Sequence, residues 1–133
     1  MKIKLDFVTN SSTTSFVVAA DGELTKERLG ELMGVPVGSP LEPMVDGLFA
    51  ALEREATAVP AGIPPRATAL ADVFRGEIPE HVLRKVEEAR ARGWAVWAGR
   101  LQSDIDWTEL LFCADSFEWE NEHLYINGLE CAW

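Results

Sequence analysis

Apolar and polar positions alternate at the start of the chain. Ile3, Leu5 and Phe7 fall on one side of an extended segment and Lys2, Lys4 and Asp6 on the other, which predicts a half-buried strand over residues 2–8. Phe16 to Ala20 is an unbroken apolar run and predicts a more deeply buried strand. The stretch between them, residues 9–15, reads as the loop of a hairpin, and Asp21-Gly22 ends the second strand with turn chemistry. The period then becomes helical. Thr25 suits an N-cap, Leu24 and Leu29 are spaced as a hydrophobic staple, and Leu29, Leu32 and Met33 share one face before Gly34 and Pro36 stop the helix. Ser39-Pro40-Leu41-Glu42 has capping-box spacing, with Pro43 moving the start of the second helix two or three residues on. Met44, Val45, Leu48, Phe49 and Leu52 give its inner face as far as Ala56.

Residues 60–65 hold three prolines and predict a stiff extended connection. Leu70, Val73 and Phe74 mark a short third helix. A fourth opens at Pro79, faces inward through Val82, Leu83, Val86 and Ala89, and closes at Gly93. Residues 94–99 are apolar on both faces, as an interior strand is. Asp106-Trp107-Thr108-Glu109 predicts a short helix to Ala114, although Leu110 to Cys113 would also pass as a strand. Phe117 and Trp119, then Leu124 and Ile126, alternate with polar residues around a turn at 120–122, predicting a terminal hairpin that Gly128 breaks. The grouping predicts one α+β domain over residues 1–133. A mixed sheet is built from N-terminal and C-terminal strands, with a helical middle of about four helices packed on one face.

Charge narrows the partners. The 133 residues carry a net charge of −10, which excludes a nucleic-acid binder and disfavours an anionic membrane surface; it suits solubility or a basic protein partner. No run reaches the ~18 apolar residues of a membrane span, and no apolar segment follows Lys2 and Lys4 as a secretory signal requires. Cys113 and Cys131 form no CxxC pair and read as thiols of a cytoplasmic protein.

Chemistry is sparse. His81 and His123 stand in no catalytic spacing, so no catalytic residue is assigned and the reading leans away from an enzyme. Cys113, Cys131 and His123 lack the ligand spacing of a zinc site, and Asp104 with Asp106 reads more simply as a turn and a cap; no metal or cofactor is assigned. Glu118, Glu120 and Glu122 alternate, so they are expected on one solvated face, with a basic partner as the sharper alternative. The odd segment is residues 9–15, Thr-Asn-Ser-Ser-Thr-Thr-Ser. It lacks the glycine and lysine of a phosphate cradle, but its exposed hydroxyls would suit recognition or enzymatic modification.

The opening Met1-Lys-Ile-Lys-Leu-Asp-Phe-Val-Thr-Asn-Ser-Ser-Thr-Thr-Ser-Phe16 resembles a group of small uncharacterised bacterial proteins that start with a basic-apolar strand, Asp-Phe-Val-Thr-Asn, a serine run and Phe. Thr13 and Thr14 depart from that run. The resemblance implies a bacterial cytoplasmic setting and no particular mechanism. Three functional readings follow. The first is a non-enzymatic protein-interaction module, with Thr9, Asn10, Ser11, Ser12 and Ser15 as its recognition or modification element. The second is a small-ligand binder or enzyme whose polar site joins residues 9–15 to Ser103 and Asp104 beside Gly99. The third is an acidic inhibitor of immunity type acting through Glu118, Glu120 and Glu122.

Overall fold

The structure, a computed structural model, describes residues 13–74, 77–102 and 116–131. The strand expected at 2–8 and the short helix expected at 106–114 lie outside the described residues.

Among the described residues five strands form one sheet: β1 (Thr13–Ala20), β2 (Thr57–Ala58), β3 (Ala95–Gln102), β4 (Phe117–Glu120) and β5 (Leu124–Cys131). Their order is β2-β3-β1-β5-β4. The α+β class holds, with one refinement. Every pairing between described strands is antiparallel, so the sheet is not mixed. β1 is the central strand and pairs along all eight residues with β3 on one side and β5 on the other. Four helices occupy the middle: α1 (Lys26–Met33), α2 (Glu42–Glu55), α3 (Ala69–Val73) and α4 (Glu80–Ala91).

The helices cover both faces of the sheet, not one. Phe16, Val18 and Ala20 of β1 pack with Leu29 of α1 and with Val45, Leu48 and Leu52 of α2. Val17 and Ala19, pointing the other way, pack with Leu70 and Val73 of α3 and with Val82, Val86 and Ala89 of α4. The strand sequence demanded this, because a strand apolar on successive positions exposes one hydrophobic face unless both are covered.

Local chemistry sets the helix limits. Thr25 has extended backbone, and its side chain accepts from the Arg28 N–H; Gly34 ends α1 in the left-handed conformation at φ 74°. Before α2, Ser39 Oγ accepts from the Leu41 N–H at 3.1 Å and Glu42 Oε1 from the Gly38 N–H at 2.9 Å. The expected capping box is therefore looser than its sequence spacing implies, and α2 starts three residues later than Ser39.

Three expectations about connections change. Thr57 and Ala58 form a strand, pairing with Ala98 and Trp97 of β3; two residues carry no periodic signal. The proline segment is not simply extended. It turns into one 3₁₀ turn at Pro65–Ala67, and Arg90 of α4 donates to the carbonyls of Ile63 and Pro60 at 2.7 and 2.6 Å, fastening it. Gly128 does not break β5. It pairs with Phe16 on one side and Phe117 on the other, and a Cβ there would collide with the Phe117 ring. The glycine is a close-approach site inside a strand.

Candidate functional site

The hydroxyl-rich segment divides. Thr13, Thr14 and Ser15 belong to β1 and are buried, so the expected loop ends before Thr13. Threonine fits a strand through its branched Cβ, which is why the run extends β1 instead of interrupting it. Ser15 is 0% exposed and its Oγ donates to the Val73 carbonyl at 2.8 Å. Arg100, opposite Ser15 on β3, donates its Nε to the same carbonyl at 3.2 Å and an Nη2 N–H to the Asp72 carbonyl. Together they satisfy carbonyls at the C-terminal end of α3 that the helix itself cannot. Ser15 is thus a structural donor, inaccessible to a modifying enzyme in the folded chain. Thr9, Asn10, Ser11, Ser12, Ser103 and Asp104 lie outside the described residues. The strand ends that lead to them are neighbours, since Thr13 pairs with Gln102.

The glutamates of the acidic strand are exposed as expected, and two of them are already engaged. β4 turns Phe117 and Trp119 toward α1 and α2, their rings stacked at 4.7 Å, so Glu118 and Glu120 fall on the α4 side. Tyr125 donates to Glu118 Oε2 at 2.6 Å, and Asn127 Nδ2 donates to the same oxygen at 3.3 Å. Burial first, and then the Glu118 carboxylate, push the Tyr125 phenol above its ordinary range. Lys85 of α4 donates to both oxygens of Glu120 at 2.8 and 2.9 Å, and that bond holds its ammonium above the ordinary lysine value. Glu122 lies beyond β4 in the turn, 3.7 Å from His123.

His123 serves a different purpose from the ligand or base considered above. Its Nδ1 meets Asp21 Oδ2 at 2.6 Å, while Arg28 Nη1 donates to Asp21 Oδ1 at 2.6 Å and the Asp21 N–H donates to the His123 carbonyl at 3.0 Å. This clip joins the end of β1, the start of β5 and α1. His123 and then Arg28 lower the Asp21 carboxyl below its ordinary value, and Asp21 raises the His123 imidazole above its own. Among the described residues no three His, Cys, Asp or Glu side chains converge as a metal site. No described helix is long and apolar enough to cross a membrane.

A cavity with mixed apolar and acidic lining lies elsewhere, where α2 packs over β3 and β1. It measures about 230 Å³. Val18 and Leu52, both almost wholly buried, form its floor. Leu24, Phe49 and Trp97 give apolar walls; Glu23 and Glu53 line it and are exposed. Each position follows from the fold. Val18 and Trp97 are paired across β1 and β3, so their side chains share a face. Phe49 and Glu53 are four apart on α2 and stack along one helix face, and Ala56, the C-cap, donates its N–H to the Leu52 carbonyl. Leu24 precedes the α1 N-cap. Sequence reading placed Leu24, Phe49, Leu52 and Trp97 as core positions and did not single out the glutamates. The signal is non-local, because Glu23, Glu53 and Trp97 meet only once the sheet is assembled.

No family model, curated protein or solved structure matches this chain.

Proposed function

We propose that this chain is a non-enzymatic protein-interaction module, in the bacterial cytoplasmic setting that the resemblance of its N-terminal motif implies. The observation that carries the reading is the open pocket between α2 and β3. It has an apolar floor, two aromatic walls and two glutamates, with no histidine, cysteine or hydroxyl side chain among the described residues that line it. Its apolar floor and aromatic walls suit holding a side chain, and its two exposed glutamates supply charge at the edge of the pocket. At about 230 Å³ it falls below the ~300–1,000 Å³ of sites that enclose a drug-sized ligand. It suits one side chain of a larger partner. Residues 9–12 keep their place as a second recognition or modification element.

The test uses ¹⁵N-labelled full chain and pools of capped pentapeptides that are basic, acidic, aliphatic or aromatic. At least one pool is expected to move the Trp97 indole resonance, identified by Trp97→Phe. If every pool leaves that resonance in place, the reading falls. Intact mass of the natively expressed protein tests the modification element separately: an added group is expected within residues 9–12 and never on Thr13, Thr14 or Ser15.

A polar small-ligand site joining residues 9–12 to Ser103 and Asp104 is the second reading. It is favoured by the pairing of Thr13 with Gln102, which starts both segments from adjacent positions. A thermal-shift screen of polar metabolites would show a stabilising compound whose effect disappears in Asp104→Asn; no such compound removes the reading. An acidic inhibitor acting through Glu118, Glu120 and Glu122 has the least support. Tyr125, Asn127 and Lys85 already engage the first two carboxylates.

A further inference from the structure

Building on the interaction reading, we infer that the group entering the α2–β3 pocket is the cationic side chain of a lysine or arginine in a basic partner segment. Three observations converge on that chemistry.

The first is uncompensated charge. Glu23 and Glu53 make no ion pair among the described residues, whereas the cations next to them in sequence are committed elsewhere. Lys26 pairs with Asp46 at 3.0 Å, Arg28 with Asp21 at 2.6 Å and Arg54 with Glu55 at 3.1 Å. The second is the wall. Trp97 and Phe49 line the pocket with those carboxylates, and an aromatic ring next to an anion can attract an ammonium or guanidinium while the apolar floor covers its methylene stem. The third is size and field. A cavity of about 230 Å³ admits one long side chain, and a chain of net charge −10 draws a basic segment toward it.

The same numbers favour a peptide over a free amine. A butylammonium ion can reach only the pocket itself, so its contacts are limited to the few that its short stem and ammonium make there. Flanking residues of a partner segment add contacts that a free amine cannot make.

The experiment follows the Trp97 indole resonance of the full chain during titration with Ac-Gly-Gly-Lys-Gly-Gly-NH₂, its arginine counterpart, its neutral norleucine counterpart and butylammonium chloride. The lysine or arginine peptide is expected to shift Trp97 saturably. Glu53→Gln or Glu23→Gln should weaken that binding about threefold each, and Glu53→Lys should abolish it. Both glutamates are exposed, so these variants keep the fold, which an unchanged melting temperature verifies. Equal shifts from the norleucine peptide would overturn the cationic assignment while leaving the interaction reading intact. Butylammonium binding as tightly as the peptides would overturn the choice of a peptide partner. If only the acidic or aromatic pool moves Trp97, the cation is wrong and the module survives; if nothing moves Trp97, both fall.

Discussion

Single positions show how a side chain's meaning depends on its cross-strand neighbours. Ser15 looks like one more hydroxyl in a polar run. In the sheet it lies opposite Arg100, and both donate to the end of α3. Ser15→Ala should therefore lower stability by about 1–2 kcal/mol, the cost of losing a buried hydrogen bond, measured as a reduced urea midpoint with unchanged slope. Gly99 and Gly128 were legible as glycines but not as contacts. A Cβ on Gly99 would meet the Glu55 carbonyl and lie 2.6 Å from the Phe16 ring, and one on Gly128 would meet Phe117. Either Gly→Ala change should destabilise by about 1–3 kcal/mol through overpacking, although alanine is ordinarily the better residue in regular structure. A neutral or stabilising result would show that the rings can yield. Sequence alone reads glycine as punctuation because the ring that requires it comes from another strand.

Between elements, the joints are polar and few. The Asp21–His123–Arg28 clip has a pH window fixed by its two shifted groups. His123 is raised above its ordinary 6.5, so its contribution is complete below that value and is lost as pH rises through the raised one. Asp21 is depressed below its ordinary 3.8, so its contribution is complete above that value and is lost as pH falls through the depressed one. The clip holds fully between the two ordinary values. The difference in melting temperature between the parent and His123→Gln should be largest near pH 5 and should shrink by pH 9. A difference that grows with pH would mean His123 is held neutral. Helices were the most readable elements, since their apolar spacing persists for two turns or more and their ends carry Thr25, Gly34 and Gly93. β2 was unreadable because it exists only by pairing with β3. The pocket was unreadable for a related reason. Its aromatic walls look like core residues until the exposed glutamates beside them are placed.

For the whole molecule, a sheet covered on both faces explains why β1 tolerates no polar alternation and why Val17 and Ala19 are as apolar as Phe16 and Val18. The class of fold followed from strands grouped at both ends of the chain. The second helical layer is implied by the unbroken apolar run of β1, which needs cover on both faces. The net charge of −10 acts at this scale too. Raising ionic strength from a few millimolar to ~0.15 M shortens the Debye length to about 8 Å, so the melting temperature should rise as self-repulsion is screened. A fall would mean that the Lys85–Glu120 and Lys26–Asp46 pairs outweigh that repulsion. The position of β1 also governs the order of assembly. Its eight residues need β3 on one flank and β5 on the other, and the Ala20–Leu124 pair closes only when segments roughly a hundred residues apart meet. On the ribosome, β1 emerges before β3 and β5 and waits with a hydrogen-bonding edge open until β5 has been made. Synthesis therefore leaves a long interval in which that edge can capture another chain, and the yield of soluble protein should depend on translation speed and chaperone supply more than equilibrium stability alone would suggest.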